Sequence, residues 1–570
     1  MKILGIHDGH LATACLLVDG KLTACASEER FTRVKYQGGI PKHALTWIFN
    51  HIAPPETIDA VAVVGLTEPL SSGEEEVRHK VFSGISSLIP RKIWNSSILK
   101  NGYIYLKGMN RQRLVNIKKV LSEFGVPVKN VYQIDHHLAH AAAAYYFSPF
   151  HKEGTSLVIT LDGGGDGISG RVSIGKNNSL EEIVAVSMFD SIGTFYSMVT
   201  KYLGMKPLDE EYKVMGLAPY APSLLREKSY QALHSIFQLS HDQLEFQNVS
   251  RRWGNSFLNK LNQKLLGIRF DGVAGGLQKL FEELVVSFVK GWMRKAEISK
   301  VCLAGGCFMN IKTNGILAID PEVKDLFVMP SCGDESVAIG GAAYIYALIK
   351  GKDAVFEPLD SLALGPAFSF ENLEEAIHTC QNQVTFEWKD NIEEAIVQNL
   401  LEGKIIGRVS GNMEWGARAL GNRSILSDPR HLEYALRLNK VIKQRDFWMP
   451  FAPTLLHEFR NEYLVNPKDV QAPYMNLAFQ TKPRALEDLI AGIHPADQTC
   501  RPQIVTQVSS ASYYQLIKTW FHATGCGGLI NTSFNLHGEP IVCSPEDALK
   551  TFLNSGLDVL FLENFFVKKR

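Results

Sequence analysis

The sequence predicts a two-domain protein of the α/β class. Its 570 residues exceed the length of one ordinary folding core, so two or three domains are expected. Short apolar runs such as Lys300–Leu303 and Leu326–Pro330 each lead into a glycine turn and then into sequence with helical spacing. Repetition of strand, glycine turn and helix is typical of α/β proteins, where the turn presents backbone N–H groups to phosphate or nucleotide.

The N-terminal half contains two copies of a three-strand meander. In each copy the first strand runs into an Asp-Gly tip, at residues 7–10 and again at residues 162–167. The predicted strands are Lys2–Ile6, Ala12–Val18 and Lys21–Ser27, then Leu157–Leu161, Ser169–Ile174 and Glu182–Ser187. We therefore predict an internal duplication, with the polar tips of the two halves facing one cleft.

A metal site is suggested between these copies. His136 and His140 are four residues apart in an alanine-rich helical run, so their imidazoles share one helix face, and Asp162 ends the strand that follows. Two imidazoles and a carboxylate suit a divalent metal. The spacing alone does not decide for a metal, because a chain with 17 histidines contains such pairs by chance. A zinc protease is excluded, since His137 occupies the position of its required glutamate.

Composition limits the function classes. Lys plus Arg and Asp plus Glu both number 59, so the zero net charge favours neither nucleic acid nor a membrane surface as partner. The nine cysteines are scattered and include no CxxC pair, which indicates reduced thiols. The N-terminal apolar run is too short for a signal sequence, and no segment has the length of a membrane span. A cytoplasmic location is predicted.

The second domain begins after a change in composition at residues 350–366. We predict domains at residues 1–352 and 367–570, joined by a linker at 353–366. In the second domain, cationic side chains stand beside Gly, Asn and Ser: Arg418, Arg423, Lys443, Arg445 and Arg501. Such side chains suit a phosphate or carbamate oxyanion, although ion pairs with Glu414 or Asp428 are an alternative for any single one of them.

Five motifs resemble those of the O-carbamoyltransferases related to nodulation and antibiotic-tailoring enzymes. The resemblance extends over essentially the whole chain. The motifs are Ser27-Glu-Glu-Arg-Phe-Thr32, His136-His-Leu-Ala-His140, Lys213-Val-Met-Gly-Leu-Ala218, Trp415-Gly-Ala-Arg-Ala-Leu-Gly-Asn-Arg-Ser424 and Asn531-Thr-Ser-Phe-Asn-Leu-His-Gly-Glu-Pro540.

The resemblance implies a fold and a reaction. The N-terminal domain would have the duplicated actin-like/sugar-kinase fold of the threonylcarbamoyl-transfer proteins, and the C-terminal domain the twisted α/β fold of the threonylcarbamoyl-adenylate synthases. Carbamoyl phosphate would be cleaved in the C-terminal domain and its carbamate joined to ATP, with Mg²⁺, as carbamoyl adenylate. The N-terminal domain would then transfer the carbamoyl group to a hydroxyl of a small natural product or sugar, as in antibiotic biosynthesis.

The resemblance also implies site residues. The metal ligands would be His136, His140, Asp162 and Asp334, holding Fe²⁺, while Mn²⁺ and Zn²⁺ suit the same ligands. His10 would be the general base toward the acceptor, with Lys35 near the acceptor pocket. The nucleotide would be lined by Lys213, Gly216, Gly305, Gly306 and Asn310. Carbamoyl phosphate and the second nucleotide site would be held by Arg418, which is also catalytic, and by Lys443, Arg501, Asn531 and Ser533.

The sequence leaves four questions open. The family often has Arg directly before Pro-Phe-Ala-Pro, where this chain has Met449, so either Arg445 substitutes or the affinity for carbamoyl phosphate falls. His7 lies close enough to His10 in sequence to be the base instead. Alternative functions are a tRNA threonylcarbamoyl-type transferase and a non-catalytic actin-like nucleotide-binding protein. The oligomeric state is also left open.

Overall fold

The computed structural model describes residues 1–67, 111–252 and 255–570. The strands of its N-terminal part are β1 (Lys2–His7), β2 (Thr13–Val18), β3 (Lys21–Ser27), β4 (Ala60–Val64), β5 (Val131–Ile134), β6 (Thr155–Gly165), β7 (Ile168–Lys176), β8 (Ser179–Ser187), β9 (Phe237–Leu239), β10 (Phe246–Asn248), β11 (Lys300–Ala304) and β12 (Asp325–Val328). The predicted meander strands are confirmed to within a few residues.

Two of the sheets have the same strand order. The first runs β3-β2-β1-β4-β5 and the second β8-β7-β6-β11-β12, so each is an antiparallel meander whose first strand is extended by two parallel strands. The tight turn between β2 and β3 uses Asp19 and Gly20, with φ of 47° and 84°. Two sheets of this order in one chain form the duplicated actin-like, sugar-kinase arrangement, and the predicted N-terminal fold is confirmed.

Helices connect and cover these strands. They are Glu29–Thr32, Lys42–His51, Arg111–Glu123, His136–Tyr146, Ile192–Tyr202, Glu211–Leu217, Ser223–His234, Asn255–Leu265, Phe270–Ala296, Ile311–Ile319 and Val337–Lys350. No helix in the described part of the chain is both long and apolar enough to cross a bilayer. All nine cysteines are buried free thiols, as predicted.

The C-terminal part is built on one eight-stranded mixed sheet and a separate pair of strands. The strands are β13 (Val384–Trp388), β14 (Ile406–Val409), β15 (Arg423–Ser427), β16 (Ala452–Leu456), β17 (Phe479–Gln480), β18 (Thr499–Cys500), β19 (Gln503–Val505), β20 (Gly528–Ser533), β21 (Val559–Leu562) and β22 (Phe565–Lys569). The large sheet has the order β13-β22-β21-β14-β15-β20-β16-β19, and β17 pairs with β18. The helices are Phe370–Thr379, Ile392–Leu401, Leu432–Leu438, Arg460–Tyr463, Pro483–Asp488, Ala511–Thr524 and Pro545–Leu553.

Both faces of this sheet carry a hydrophobic core. Successive side chains of a strand point to opposite faces. Along β21, Leu560 and Leu562 belong to one core cluster, while Val559 and Phe561 belong to the other. Helices therefore pack on both faces, which identifies an α/β layered unit. Its likeness to the threonylcarbamoyl-adenylate synthases stays a prediction.

The chain divides into two compact units after Pro358, but the division is not a single cut. Residues 24–37 and 42–47 group with the second unit rather than with the strands that flank them. Within that unit, Arg30 Nη2 donates to the Gly416 carbonyl at 2.7 Å, and Arg33 donates to the carbonyls of Pro540 and Ile541 at 2.7 and 2.6 Å. The Arg30 bond joins the Ser27–Thr32 motif to the Trp415–Ser424 motif, and Arg33, the next residue after the first motif, bonds to the end of the Asn531–Pro540 motif.

One close helix contact positions the functional residues of the first unit. The small-residue helix Val337–Lys350 packs on His136–Tyr146, and a Cβ at Gly340 would lie 1.8 Å from the Ala139 carbonyl oxygen. Since no real Cβ approaches an oxygen so closely, only glycine permits this separation.

We expect Gly340→Ala to destabilise the first unit by about 3 kcal/mol, because the two helices must move apart or strain. Thermal unfolding followed by circular dichroism would report the loss as a lower midpoint. The matched control is Leu348→Ala on the same helix, where the side chain is 60% exposed and the change should be within about 0.5 kcal/mol. Equal midpoints for the two variants would contradict the close contact.

Candidate metal centre and candidate anion site

Four side chains from distant parts of the sequence converge in the first unit. His136 and His140 lie in the first turns of the helix that follows β5, Asp162 is in β6, and Asp334 begins a short turn after β12. One ligand atom from each lies within 4.8 Å of the others. Each imidazole Nε2 is 3.4 Å from an Asp162 oxygen and 3.6 Å from an Asp334 oxygen. The four predicted ligands are therefore together.

The electrostatics of this cluster favour a cation. Burial opposes protonation of the imidazoles, yet the Asp334 and Asp162 carboxylates raise the pKa of His136 to about 10. Burial likewise opposes ionisation of Asp162, but hydrogen bonds with His136 and His140 hold its pKa well below the usual value. The carboxylates thus attract positive charge to the point that the four side chains surround.

The ligand set fits a divalent transition metal. Two imidazoles with two carboxylates suit Fe²⁺, Mn²⁺ or Zn²⁺. Nε2 of His140 is buried and faces the Asp162 and Asp334 oxygens at 3.4 and 3.6 Å, while Nδ1 lies 3.3 Å from the Ser336 hydroxyl. A hydroxyl on the far nitrogen orients a ring toward a metal, as is common around ligating histidines.

The tip between β1 and β2 distinguishes the two histidines that sequence could not separate. His7 is buried, and its Nε2 lies 3.0 Å from the His10 carbonyl oxygen, so the ring donates a hydrogen bond there. Burial lowers the pKa of His7 to about 4, which keeps the ring neutral. His10, by contrast, has an exposed side chain. Of the two side chains, that of His10 is therefore the one accessible to solvent.

The glycines predicted for the nucleotide lie beside the metal cluster. Gly305 follows β11 with φ of 96°, and a Cβ on it would meet the Leu161 carbonyl at 2.3 Å. A Cβ on Gly306 would meet an Asp162 oxygen at 2.9 Å. The absence of a side chain at these two positions therefore lets the turn after β11 pack directly against Leu161 and the proposed ligand Asp162.

The other predicted nucleotide residues have partners within the protein. Lys213 and Gly216 lie in the helix Glu211–Leu217, and the Lys213 ammonium is 2.7 Å from Glu210. Asn310 accepts from the Thr313 N–H and exchanges two 3.0 Å hydrogen bonds with Gln278. The Asn310 side chain therefore also caps the helix Ile311–Ile319.

A cluster of cations forms the second candidate site, in the second unit. Lys443 ends the π-helical turn Asn439–Lys443, and its ammonium donates to Ser533 Oγ at 3.1 Å and to Asn535 Oδ1 at 2.7 Å. Arg445 Nη2 lies 3.3 Å from the hydroxyl of Thr532, the neighbour of Ser533 on β20. π-Helical turns are rare and often accompany functional sites.

Arg501 and Arg418 belong to the same positive region. Burial lowers the pKa of Arg501 well below its ordinary value, and the positive charges of Arg418 and Arg445 lower it further. Burial, together with Arg445, also lowers the pKa of Lys443 well below its ordinary value. Cations that depress one another's pKa are stabilised by an anion placed among them.

The remaining predicted residues have these positions. Asn531 is buried on β20, donates to Gln503 at 3.0 Å, and leaves its Oδ1 without a hydrogen-bond partner in the described chain. Lys35 belongs to the second compact unit, where its ammonium lies 4.5 Å from the Tyr36 ring, whereas His10 belongs to the first. Arg423 is not part of the cation cluster, because its guanidinium is fully buried and donates to five backbone carbonyls.

Two residues near the metal cluster escaped the sequence reasoning. Asp166 accepts a 2.9 Å hydrogen bond from the His136 N–H, and Arg113 pairs with Asp8 in the tip between β1 and β2. Asp166 could have been found from the sequence, because it is the second Asp of the Asp162-Gly-Gly-Gly-Asp166 run. No pattern in the sequence connects Arg113 with Asp8, which lies 105 residues away.

We expect His140→Ala to lose metal, since two carboxylates and one imidazole bind a divalent transition metal more weakly than the full set. The measurement is metal content by mass spectrometry after anaerobic loading with Fe²⁺, Mn²⁺ or Zn²⁺ and desalting. His137→Asn is the matched control, because His137 is in the same helix and contacts Thr160 Oγ1 at 2.9 Å instead of the cluster. Retention of metal by His140→Ala would refute the assignment.

Comparisons with known proteins identify the family of this chain. The family model described as carbamoyltransferase N-terminus matches residues 2–343, and the one described as carbamoyltransferase C-terminus matches residues 397–569. An uncharacterized protein of Methanocaldococcus jannaschii is 31% identical, covering 100% of this chain and 99% of its own length. Nodulation protein NolNO of Sinorhizobium fredii is 30% identical, covering 99% of this chain and 79% of its own.

Among solved structures, component A of (R)-2-hydroxyglutaryl-CoA dehydratase from Acidaminococcus fermentans matches 60% of this chain and 97% of its own, at 15% identity and a TM-score of 0.32. The two family models together span both compact units of this chain. The protein is an enzyme of the carbamoyltransferase family.

Proposed function

We propose that this enzyme is an ATP-dependent O-carbamoyltransferase that works through carbamoyl adenylate. Water cleaves carbamoyl phosphate to carbamate and inorganic phosphate in the second unit. A carbamate oxygen then attacks the α-phosphorus of ATP, which forms carbamoyl adenylate and releases pyrophosphate. In the first unit an acceptor hydroxyl attacks the carbamoyl carbon, AMP leaves, and the product is a carbamate ester.

The cation cluster of the second unit carries the proposal. Lys443, Arg445, Arg501 and Arg418 are positive groups partly or wholly withdrawn from water, and an arrangement that depresses the pKa of its own members favours a polyanionic ligand. Carbamoyl phosphate and the triphosphate of ATP are ligands of that kind, and planar guanidinium groups match their oxygens. Arg418 would stabilise the charge that develops on the leaving phosphate.

The first unit supports the transfer step. His10 is exposed at a strand tip and would take the proton of the acceptor hydroxyl on an imidazole nitrogen. The glycine turn at Gly305 and Gly306 packs against Asp162 and would present its backbone N–H groups to the adenylate phosphate. When bound by His136, His140, Asp162 and Asp334, a divalent metal would supply Lewis acidity toward the carbamoyl oxygen.

A small hydroxylated natural product or sugar is the acceptor class we favour. Relatives named nodulation proteins match nearly the full chain. The balance of 59 basic and 59 acidic residues gives no global attraction for the polyanionic backbone of tRNA, which the threonylcarbamoyl alternative would need to bind.

Pyrophosphate release on mixing enzyme, ATP and carbamoyl phosphate without an acceptor tests the first half of the reaction. The wild type should release pyrophosphate only when carbamoyl phosphate is present, and Arg418→Ala should abolish the release. Arg484→Ala, which changes an arginine of the same unit paired with Glu462 and Asp488, is the control and should remain active.

His136→Ala separates the two halves of the reaction. It should leave pyrophosphate release largely intact while slowing transfer to an acceptor, because His136 belongs to the first unit. Identical behaviour of Arg418→Ala and His136→Ala in both assays would overturn this division of labour.

Arg445 is expected to replace the arginine that the family often has at the position of Met449. Arg445→Ala should raise the KM for carbamoyl phosphate about tenfold to a hundredfold, the range expected for loss of a charged hydrogen bond. Adding Met449→Arg should restore part of the affinity, while Met449→Leu, the control, should not. An unchanged KM in Arg445→Ala would mean that no compensation exists.

A further inference from the structure

A buried ion pair holds the tip that carries His10. Asp8 and Arg113 are 7% and 6% exposed. Arg113 Nε lies 3.1 and 2.9 Å from the two Asp8 oxygens, and Nη2 donates to the first of them. The Asp8 carbonyl accepts a 3.0 Å hydrogen bond from the Gly39 N–H, so the residue is held through both its side chain and its backbone.

The Arg113 guanidinium also donates hydrogen bonds to the segment that follows β4. Its Nη2 donates to the Val64 carbonyl at 2.7 Å, and Nη1 donates to the carbonyls of Gly65 and Thr67. One arginine thus fixes the tip after β1 to the segment after the neighbouring parallel strand. Five N–H donors in a rigid plane make this a geometric connection that a lysine cannot reproduce.

The other side of that segment is bound to the helix His136–Tyr146, which bears two proposed metal ligands and is called the metal helix below. The N–H groups of Leu66 and Thr67 donate to the Asp166 carboxylate at 2.9 and 3.0 Å, and so does the backbone N–H of His136 at 2.9 Å. Asp166 is buried, with 4% exposure. The connected path therefore runs from Asp8 through Arg113 and residues 64–67 to Asp166 and the start of the helix that bears two proposed metal ligands.

Energetics favour a positioning role for this pair over a purely stabilising one. Removing two charges from water costs about as much as their attraction returns, so a buried pair adds little net stability. What such a pair retains is a fixed geometry. Here Asp8 lies two residues before His10 in the chain, and Arg113 is connected to His136 through residues 64–67 and Asp166.

We infer that Asp8 and Arg113 are positioning residues that set the distance and orientation of His10 relative to the metal helix. Neither residue touches substrate in this scheme; both act through the His10 backbone. The inference rests on the proposed function, because it takes His10 to be the base that accepts the proton of the acceptor hydroxyl. A displacement of about 1 Å at a reacting group can slow a reaction by about a hundredfold.

The test is a double-variant cycle on the full-length enzyme, with two assays for every variant. Arg113→Lys keeps the charge and removes the fork, and it should slow carbamoyl transfer at least about tenfold. Carbamoyl-phosphate-dependent pyrophosphate release and metal content should stay within about twofold of wild type. In a His10→Ala background the same substitution should add less than about twofold, since its effect passes through a base that is already absent.

A matched control and a second variant protect the interpretation. Arg294→Lys changes an arginine of the same unit that is paired with Glu322 at 3.1 Å on the surface, and it should leave both assays unchanged. Should Arg113→Lys fail to fold, Asp8→Asn retains the shape of the side chain and should give the same selective loss of transfer. The pH at half-maximal transfer rate should not move, because a positioning residue alters geometry and not the proton affinity of the base.

The outcomes distinguish failure of the proposed role of His10 from failure of the positioning inference alone. If His10→Ala transfers normally, the base assignment is wrong, and both the proposed role of His10 and this inference are refuted. If His10→Ala is slow but Arg113→Lys and Asp8→Asn transfer normally, or lose activity additively with His10→Ala, only the positioning inference is refuted. Equal losses in transfer and pyrophosphate release, with a lower unfolding temperature, would mark the pair as merely structural and also overturn it.

Discussion

Each compact unit places side chains of like charge close together in partly buried surroundings. In the first, the Asp162 and Asp334 carboxylates contact the same two imidazole nitrogens at 3.4 and 3.6 Å. In the second, burial lowers the pKa of Arg501, and the positive charges of Arg418 and Arg445 lower it further. Like charges at such separations destabilise a fold, and a ligand of opposite sign removes that cost. The two units thus carry clusters of opposite charge, which we propose bind a metal cation and phosphate oxygens.

The backbone that carries the first cluster is correspondingly rigid. His136 begins the helix one residue after β5, and its backbone N–H donates to Asp166 at the helix N-terminus. The contact at Gly340 fixes the opposing helix, which begins directly after the turn that contains Asp334. Sites that depend on a few tenths of an ångström are commonly built on such regular elements, and loops serve for recognition of variable partners.

Much of this arrangement was predictable, and the part that was not has a physical reason. Strands ending in Asp-Gly tips are local patterns, so the duplicated meander and the association of His136, His140 and Asp162 could be inferred from neighbouring residues. Asp334 was assigned only through family resemblance, because nothing within its own segment indicates which distant turn it meets. Arg113 was missed altogether, since its helix reads as an ordinary basic surface while its guanidinium is buried against Asp8.

The cation cluster of the second unit was predicted as residue types but not as a geometry. Arg423 and Arg418 stand five residues apart in one motif with the same kind of neighbours. Arg423 donates hydrogen bonds to five backbone carbonyls, while Arg418 contributes to the positive region around Arg501. Which of two similar arginines is structural depends on where free carbonyl oxygens lie in space, and a linear pattern does not contain that information.

Residues 24–37 belong to the second unit, and this bears on how the two units can have been joined in one chain. A simple head-to-tail gene fusion would leave each half self-sufficient. Here a fragment starting at Leu359 would leave the carbonyls of Gly416, Pro540 and Ile541 without the donors that Arg30 and Arg33 supply. The halves are interlaced along the polypeptide, so neither can be excised, exchanged with a relative or lost in evolution without damage to the other.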